Sequence, residues 1–387
     1  MTAHATKGVP VLIGFAEALA GIESAWCLAA AGFEVHAFTR RGARPALARG
    51  KDIRIIEVTR PEDDALACAG EIAAHVADVG PAAVLPLDDH AVWLSDQLAD
   101  QLAEKAPVVA GPTGQLATLA LDKREQLVIA EAAGFAVPAA TEASRTWMVK
   151  PALAVELRDG KLRRPSGRVA SSPEQVTRVT EAIGGPVLIQ PLLTGTGEGV
   201  FGLAIRGTAT ALSAHQRIRM MNPRGSGSSA CRSVPVPADL ENQVREFIGQ
   251  SGWHGLFMIE LLRDGGGTPW FMELNGRAWG SMALARYRGY QYPAWAVQAA
   301  LDERFSPDVP AGPPHFTARH LGRELVHLGT VLAQGGAPRL PTARAVLSVR
   351  RGDRWYNYRR GSAGVFIADT LGTLRDQIVP RLVRRHR

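Results

Sequence analysis

Apolar residues in the first part of the chain form short runs separated by longer helical patterns. Runs at 9–13, 33–38, 53–58 and 83–87 predict strands, and an Ala-rich stretch at 18–31 predicts one of the helices between them. This alternation indicates a parallel sheet of βαβ units. The first strand-to-helix turn, Gly-Phe-Ala-Glu, lacks the G-x-G-x-x-G fingerprint, so it does not indicate dinucleotide binding.

Polar residues follow the strand predicted at 83–87. Asp88, Asp89 and His90 come directly after it. Ligands of doubly wound sheets bind at the carboxyl ends of the strands, so these side chains are candidates for substrate contact. An Asp at this position is equally explained as the N-cap of the next helix. Both interpretations stay open on the sequence alone.

The second half of the chain contains a hairpin pattern. Apolar runs at 256–262 and 269–275 flank a Gly-rich turn. The first run carries Glu260, which alternation places on a different face from Phe257. In the second run, alternation predicts that three residues share one face: Phe271, Glu273 and Asn275.

Carboxylates on apolar strands are costly to bury unless a cation pairs with them. Oxygen ligands from Glu and Asn side chains are those that Mg²⁺ prefers. The hairpin therefore predicts a metal site formed by Glu260, Glu273 and Asn275. Arg277, two residues further on, would place a guanidinium beside a phosphate held by the metal.

These residues resemble a known family. Glu260, followed after the hairpin by E-x-N-x-R and Trp-Gly-Ser, is similar to the metal-binding end of the ATP-grasp superfamily. The resemblance is notably to the carboxylate-amine ligases and to the relatives of carbamoyl phosphate synthetase and biotin carboxylase. The resemblance spans about residues 9–301. It implies an α/β protein (α+β lobes) with four parts: an N-terminal Rossmann-like pre-ATP-grasp domain (1–113), a small nucleotide-binding lid subdomain (114–193), a large subdomain with the metal site (194–305) and a C-terminal extension packed on the large lobe (306–387).

The resemblance also implies nucleotide ligands. Lys150 ends an apolar strand, where it must reach solvent or meet an anion, and it matches the lysine that binds the α/β-phosphates of ATP. Lys123, in a D-K, helix, G-F-x-V-P pattern, is a further candidate for the phosphates, with a plain exposed helix as the alternative. Main-chain groups in a hinge would bind adenine and Glu198 the ribose; the hinge residues are Gln190, Pro191, Leu192 and Leu193. Many family members carry Glu at the position of Gln190. The implied cofactors are ATP and Mg²⁺, with two ions expected and Mn²⁺ as a substitute.

The substrate side contains several arginines. His215, Arg217 and Arg219 alternate on one predicted strand and repel one another unless an anion lies among them, although an exposed edge strand is the alternative. Arg232, after a Gly/Ser loop at 224–229, resembles a residue that holds a substrate carboxylate or the transferred phosphate. The polar segment at 156–170 resembles a flap over the triphosphate, or it is a loop with solvated charges.

Composition limits the alternatives. The net charge of +7 is spread over the chain, aromatics make up 6%, and no zinc-finger, RRM or helix-turn-helix pattern occurs, so no nucleic-acid partner is expected. The three cysteines show no metal or disulfide spacing. No signal peptide or run of about 20 apolar residues is evident, which predicts a cytoplasmic protein without a membrane partner. Walker A and G-x-S-x-G motifs are absent from the sequence.

Taken with the resemblance, these features predict an ATP-dependent carboxylate-amine ligase. It would form an amide through an acyl phosphate, from a small-molecule carboxylic acid and an amine that are amino acids or similar compounds. One alternative is another ATP-grasp enzyme that activates bicarbonate or a small phosphate acceptor. The other is a non-catalytic protein that binds nucleotides or nucleic acids. A homodimer is a further expectation.

Overall fold

The computed structural model describes residues 8–99, 107–140, 145–223, 227–302 and 304–385, with the backbone alone for 378–385. The N-terminal part forms the parallel sheet that the sequence predicts, with strand order β3-β2-β1-β4-β5. Its strands are β1 (Pro10–Gly14), β2 (Glu34–Arg40), β3 (Ile53–Val58), β4 (Ala83–Pro86) and β5 (Val108–Val109). The connecting elements are α1 (Gly21–Ala30), a 3₁₀ turn (Ala46–Arg49), α2 (Ala65–Val79) and α3 (Asp89–Gln97).

Residues after this sheet form two helices and a small antiparallel sheet. Helices α4 (Gln115–Leu121) and α5 (Lys123–Ala132) are separated at Asp122, which accepts a hydrogen bond from the Arg124 N–H at 2.9 Å and so caps α5. The small sheet has the order β10-β6-β9, formed by β6 (Trp147–Pro151), β9 (Arg168–Ala170) and β10 (Val187–Pro191), with α6 (Pro173–Ile183) against it.

The segment predicted as a flap contains a hairpin of β7 (Glu156–Arg158) and β8 (Lys161–Arg163). It is docked on the N-terminal part. The Leu162 side chain is 0% exposed and packs in the core beneath α2 and α3. The Leu162 N–H donates to the Pro61 carbonyl at 2.8 Å, and the Gly160 carbonyl accepts from the Ala65 N–H at 2.8 Å.

A sheet with strand order β15-β14-β11-β12-β13-β16-β17 dominates the second half, and it is antiparallel except between its last two strands. Its strands are β11 (Thr196–Ile205), β12 (Thr208–Met220), β13 (Ser228–Val234), β14 (Gly255–Arg263), β15 (Pro269–Asn275), β16 (Thr317–Arg319) and β17 (Asp353–Trp355). The helices are α7 (Ala238–Ser251), α8 (Met282–Tyr287), α9 (Tyr292–Leu301), α10 (Leu321–Gln334), α11 (Arg339–Leu347) and α12 (Ala363–Arg385). Residues beyond 306 thus add two strands to this large sheet.

The two faces of the large sheet pack in different cores. On one face, Phe257, Ile259 and Leu261 of β14 lie in a core with α7. On the other face, Met258 lies in a core shared with Phe201 of β11 and with α1 and α9. Glu260 belongs to the second face, as the alternation of β14 predicted.

The prediction that Phe271 shares a face with Glu273 and Asn275 is wrong. The ladder between β14 and β15 shifts register after Glu260, so Glu260 pairs with Glu273 but Leu261 pairs with Phe271. This bulge makes Met272 the extra residue and turns Phe271 to the α7 side. There Phe271 is fully buried and stacks on Phe247, with ring centroids 5.7 Å apart.

Among the described residues, none of the helices combines the length and the apolar character that crossing a membrane requires.

Candidate functional site

The predicted metal ligands converge at one end of the hairpin. Glu260 and Glu273 are directly opposite each other across β14 and β15, and Asn275, two residues beyond Glu273, lies opposite Met258. Both carboxylates are only partly buried, with side-chain exposures of 24% for Glu260 and 32% for Glu273. The strand pairing therefore brings the three oxygen-bearing side chains to one face.

Two cations neutralise the carboxylate pair. Arg217 Nη2 lies 2.6 Å from Glu260 Oε1, and Lys123 Nζ lies 3.6 Å from Glu273 Oε2. Burial alone would raise the pKa of Glu273, but the charges of Lys123 and Lys150 lower it below its ordinary value. Burial alone would lower the pKa of Arg217, which the Glu260 charge instead raises. Glu273 is therefore ionised near neutral pH.

Lys150 joins the small sheet to the hairpin. From β6 it donates a hydrogen bond through Nζ to the Met272 carbonyl at 3.2 Å, at the bulged residue of β15. Burial lowers the pKa of this amine, and the nearby Glu273 charge opposes the shift. The structure thus brings Lys123 and Lys150, both predicted to bind phosphates, to the same carboxylate.

Arg277 is fixed by two groups. Its Nε donates to Asp89 Oδ1 at 2.7 Å, and its Nη2 donates to Asn275 Oδ1 at 2.9 Å. Arg164, which follows the docked hairpin, pairs with Asp89 Oδ2 at 3.1 Å. Burial would raise the pKa of Asp89, but Arg277 lowers it to about 2. Asp89 therefore remains an anion that holds both guanidinium groups.

The structure separates the three residues that follow β4. Asp88 caps α3, accepting from the Ala91 N–H at 2.8 Å, whereas Asp89 is part of the site through Arg277. His90 is buried 3.7 Å from Glu62, and burial lowers its pKa. The N-cap interpretation thus holds for Asp88, and substrate contact by Asp89 or His90 stays a prediction. Arg164 was the partner missed by sequence reasoning, because nothing local distinguishes it from a solvated loop charge.

The three alternating residues of β12 have different partners. Arg217 binds Glu260, and Arg219 binds Glu324 of α10 through two hydrogen bonds of 2.8 Å. The His215 Nδ1 lies 2.6 Å from Ser281 Oγ, and its buried Nε2 has no partner among the described residues. Burial lowers the pKa of His215 to about 3, with a further contribution from Arg217, so its imidazole is neutral. His215 therefore takes no part, at neutral pH, in the charge repulsion that the sequence suggested among these three residues.

Glu198 and Arg232 lie on the opposite face of the large sheet. Glu198 is paired with Leu261, on the α7 side, and its Oε2 lies 2.9 Å from Arg263 Nη2. Arg232 donates from Nε to Gln216 Oε1 at 2.9 Å. Both residues line a cavity of about 300 Å³ on that face. The structure does not bring them together with Glu260 and Glu273. Part of the loop before Arg232, residues 224–226, lies outside the described residues.

The predicted hinge is at the end of β10. Gln190 is buried and donates from Nε2 to the Pro138 carbonyl at 3.4 Å. Pro191 ends the strand opposite Trp147, and the Leu192 N–H donates to the Thr146 carbonyl at 2.9 Å. Leu193 follows. The side chain of Gln190 therefore faces protein, so recognition at this position would rest on the backbone.

The donor set fits Mg²⁺ by its chemistry, since it combines two carboxylates and an amide oxygen. No group of three or more His, Cys, Asp or Glu side chains with metal-binding geometry occurs in the described ranges. Asn275 is thus the third oxygen donor of the candidate site. Every one of the three oxygen-bearing groups is held by a cation of the protein: Glu260 by Arg217, Glu273 by Lys123 and Asn275 by Arg277.

Comparisons with known proteins found similarity only in structure. No family model and no curated protein matched the sequence. A biotin carboxylase from Campylobacter jejuni aligns with a TM-score of 0.62 at 13% identity, over 81% of this chain and 76% of that one. The biotin carboxylase domain of Hydrogenobacter thermophilus 2-oxoglutarate carboxylase, solved with MgADP, ADP and bicarbonate, aligns with a TM-score of 0.58 at 14% identity, over 77% and 71%.

An L-amino acid ligase from Bacillus licheniformis also aligns, with a TM-score of 0.56 at 16% identity, over 75% of this chain and 74% of that one. Identities at this level establish the fold and not the activity. The mixed α/β architecture agrees with that of these neighbours, and the expectation from the hairpin motif is confirmed at the level of fold. The chain has the ATP-grasp fold shared by biotin carboxylases and amino acid ligases.

Proposed function

We propose that this protein is an ATP-dependent, ADP-forming carboxylate-amine ligase. The observation that carries the proposal is the pairing of Glu260 with Glu273, beside Asn275 and Arg277, on one face of an ATP-grasp sheet. These carboxylates are now held by cations of the protein. They could bind a metal instead, and the freed cations could then bind a polyphosphate. The carboxylate and amine chemistry is inferred from the fold neighbours together with this site.

The nucleotide would bind between the small sheet and the hairpin. A triphosphate offers Lys123 and Arg217 an anion in place of the carboxylates that they now contact. It offers Lys150 an anion in place of the Met272 carbonyl. Glu260, Glu273 and Asn275 would then hold Mg²⁺ ions, which supply charge neutralisation at the β- and γ-phosphates. Main-chain groups of 190–193 would contact the adenine ring.

Arg277 would stabilise the transferring phosphoryl group. A substrate carboxylate oxygen attacks the γ-phosphorus, the bond to the β,γ-bridging oxygen breaks, and ADP leaves with that electron pair. The guanidinium is held in place by Asp89 and Asn275, so little reorganisation is needed as charge develops on the phosphoryl oxygens. The low pKa of Asp89 keeps this support ionised.

An amine would then attack the acyl phosphate. The carbon–nitrogen bond forms, the carbon–oxygen bond to phosphate breaks, and the amine loses a proton, giving an amide and inorganic phosphate. Water competes with the amine for this intermediate, so it must be excluded. The docked hairpin of β7 and β8, tied to Asp89 through Arg164, would help to close the site.

The test is a screen for ADP release. Amino acids and other small carboxylic acids are supplied singly and in pairs with MgATP, and products are identified by mass spectrometry. We expect release that requires both an acid and an amine, with a product mass equal to their sum minus water. ADP release that depends on bicarbonate and on no amine would contradict the proposal and favour a carboxylase-type activation.

A further inference from the structure

The N-terminal turn of α10 is rigidly held. The Glu324 side chain is fully buried and accepts hydrogen bonds from Arg219, Arg319 and Ser229, the last at 2.6 Å. A Cβ at Gly322 would lie 3.0 Å from the Thr370 carbonyl oxygen, so this turn packs directly on α12. The backbone of the intervening residue, Arg323, is therefore fixed on both sides.

The Arg323 side chain is buried without an anion. It is 7% exposed, and the described structure gives its guanidinium one hydrogen bond, from Nη1 to the Ser228 carbonyl at 3.2 Å. No carboxylate among the described residues lies within 4.0 Å of it. Burial accordingly lowers the pKa of Arg323, although Asp369 opposes the shift from further away. Buried Arg40 and Arg319, by contrast, each bind a carboxylate.

This guanidinium lies at the turn that follows the hairpin motif. A Cβ built at Gly280 would lie 3.8 Å from Arg323 Nη1 and 3.4 Å from Leu19 Cδ1, in the loop after β1. Gly280 is three residues beyond Arg277 in the chain. The next residue, Ser281, contacts His215, whose buried Nε2 has no hydrogen-bond partner among the described residues. Two buried polar side chains with unused hydrogen-bonding capacity thus contact or adjoin one turn beside the reaction site.

A buried guanidinium without a counter-ion is costly, because an unpaired charge loses its hydration without compensation. Its planar fork of N–H groups matches a carboxylate with two parallel hydrogen bonds. The phosphates already have Lys123, Lys150 and Arg217 available. The partner that remains to be accounted for is therefore a carboxylate brought by a substrate.

We propose that Arg323 binds a substrate carboxylate other than the one that is phosphorylated. This inference rests on the proposed ligase function and narrows its substrates. Either the amine is itself an amino acid, or the acid carries a second carboxylate. In both cases the residue lies outside the segment that resembles ATP-grasp enzymes, so the C-terminal part of the chain contributes directly to substrate selection.

The experiment compares Arg323→Met with Arg288→Met. Arg288 is a matched control, because it is also buried and donates to a carbonyl, that of Pro314, in place of a carboxylate. Unlike Arg323, its guanidinium has an aromatic partner, since it lies over the Tyr290 ring at 5.4 Å from the centroid. Thermal shifts are measured with MgADP, and then with MgADP plus each proteinogenic amino acid, each dicarboxylic acid of similar size, or the corresponding amides. Every shift is taken relative to the same variant without ligand.

For wild type and Arg288→Met, we expect stabilisation by at least one amino acid or dicarboxylic acid and not by its amide. Arg323→Met should bind that acid about 30- to 150-fold more weakly, as expected for losing about 2–3 kcal/mol from charged hydrogen bonds. The response to MgADP should be unchanged. Steady-state ADP release then assigns the carboxylate: a raised KM for the acid or for the amine identifies which substrate carries it.

Two results would overturn the inference. One is an equal response of Arg323→Met and wild type to the acids, with a lower melting temperature as the only defect, which would make Arg323 a support for the Ser228 carbonyl. The other is stabilisation of the wild type by MgADP but by no carboxylic acid. Failure of MgADP itself to stabilise the protein would instead refute the ATP-dependent function on which the inference rests.

Discussion

Replacement of Glu273 by Gln tests the central pair of carboxylates. The substitution keeps the size of the side chain and removes its charge. Lys123 Nζ lies 3.6 Å from Glu273 Oε2, a separation at which Coulomb's law gives about 5 kcal/mol at an effective dielectric constant near 20 and about 1 kcal/mol in water. Because a third of the Glu273 side chain is exposed, we expect a loss of stability toward the lower value.

The effects on binding and on turnover should differ in sign. Without Glu273, Lys123 and Lys150 lose the anion that they share, so a polyphosphate should bind without metal at least as tightly as to the wild type. Turnover of MgATP should fall by at least about 10²- to 10³-fold, the usual cost of losing one charged group that acts in the transition state. Binding of ADP is measured by calorimetry with and without Mg²⁺, and turnover is measured by ADP release.

The control is Glu241→Gln. Glu241 is an exposed acid of α7 that pairs with Arg245 on the same helix, at 2.7 Å. The substitution Glu241→Gln makes the same chemical change away from the site, so both ligand binding and turnover should match the wild type. If Glu273→Gln retains turnover within about tenfold of wild type, the paired carboxylates do not hold the catalytic metal, and the ligase proposal loses its main support.

Three further substitutions test particular contacts. His215 is neutral in the fold, with a pKa of about 3 against an ordinary value near 6.5, so protonation favours the unfolded chain as pH falls below about 6.5. Between pH 7 and 5.5, the free energy of unfolding from urea titrations should fall by about 1.2 kcal/mol more for wild type than for His215→Gln. If the free energies of the two proteins fall in parallel with pH, burial of His215 is not maintained. Leu162→Ala should release the docked hairpin before the domain unfolds, because a buried Leu→Ala change costs about 2–5 kcal/mol. Amide hydrogen exchange should then rise selectively at residues 156–163. If exchange there is as slow as in the wild type, Leu162 does not anchor the hairpin. Glu198→Gln should change the KM for ATP less than about threefold, since Glu198 binds Arg263 on the far face, whereas a tenfold rise would support the ribose contact expected from the sequence.

The sequence predicted the local geometry of the hairpin well because strands have a fixed period of two. That period placed Glu260 with Met258 and away from Phe257, as the two separate cores confirm. The same rule failed for Phe271, because a bulge adds a residue to β15 and inverts the alternation behind it. The amino-acid sequence around Met272 contains no feature that predicts the bulge.

The location of charged residues across the large sheet could not be derived from the chain alone. Alternation says that Glu198 and Gly199 face opposite sides, but the side that meets the candidate site depends on the register of β11 against β14. Arg323 could likewise not be identified as a candidate site residue from the sequence, because its position depends on strands and helices of the C-terminal part that follow no recognised motif. Asp89 was identified as a candidate because the carboxyl end of a parallel strand is a general ligand position.

Asp89 links closure of the site to the placement of Arg277. Its two oxygens bind Arg277 from the large sheet and Arg164 from the segment after β8, while its backbone belongs to the N-terminal sheet unit. Docking of the β7–β8 hairpin, through Leu162 and two main-chain hydrogen bonds, therefore brings a second cation to the anion that holds Arg277. If the hairpin opens and takes Arg164 with it, Asp89 retains Arg277 as its guanidinium partner. Under the proposed function, opening would admit nucleotide while Asp89 still holds Arg277, and docking would restore the dry environment that an acyl phosphate requires.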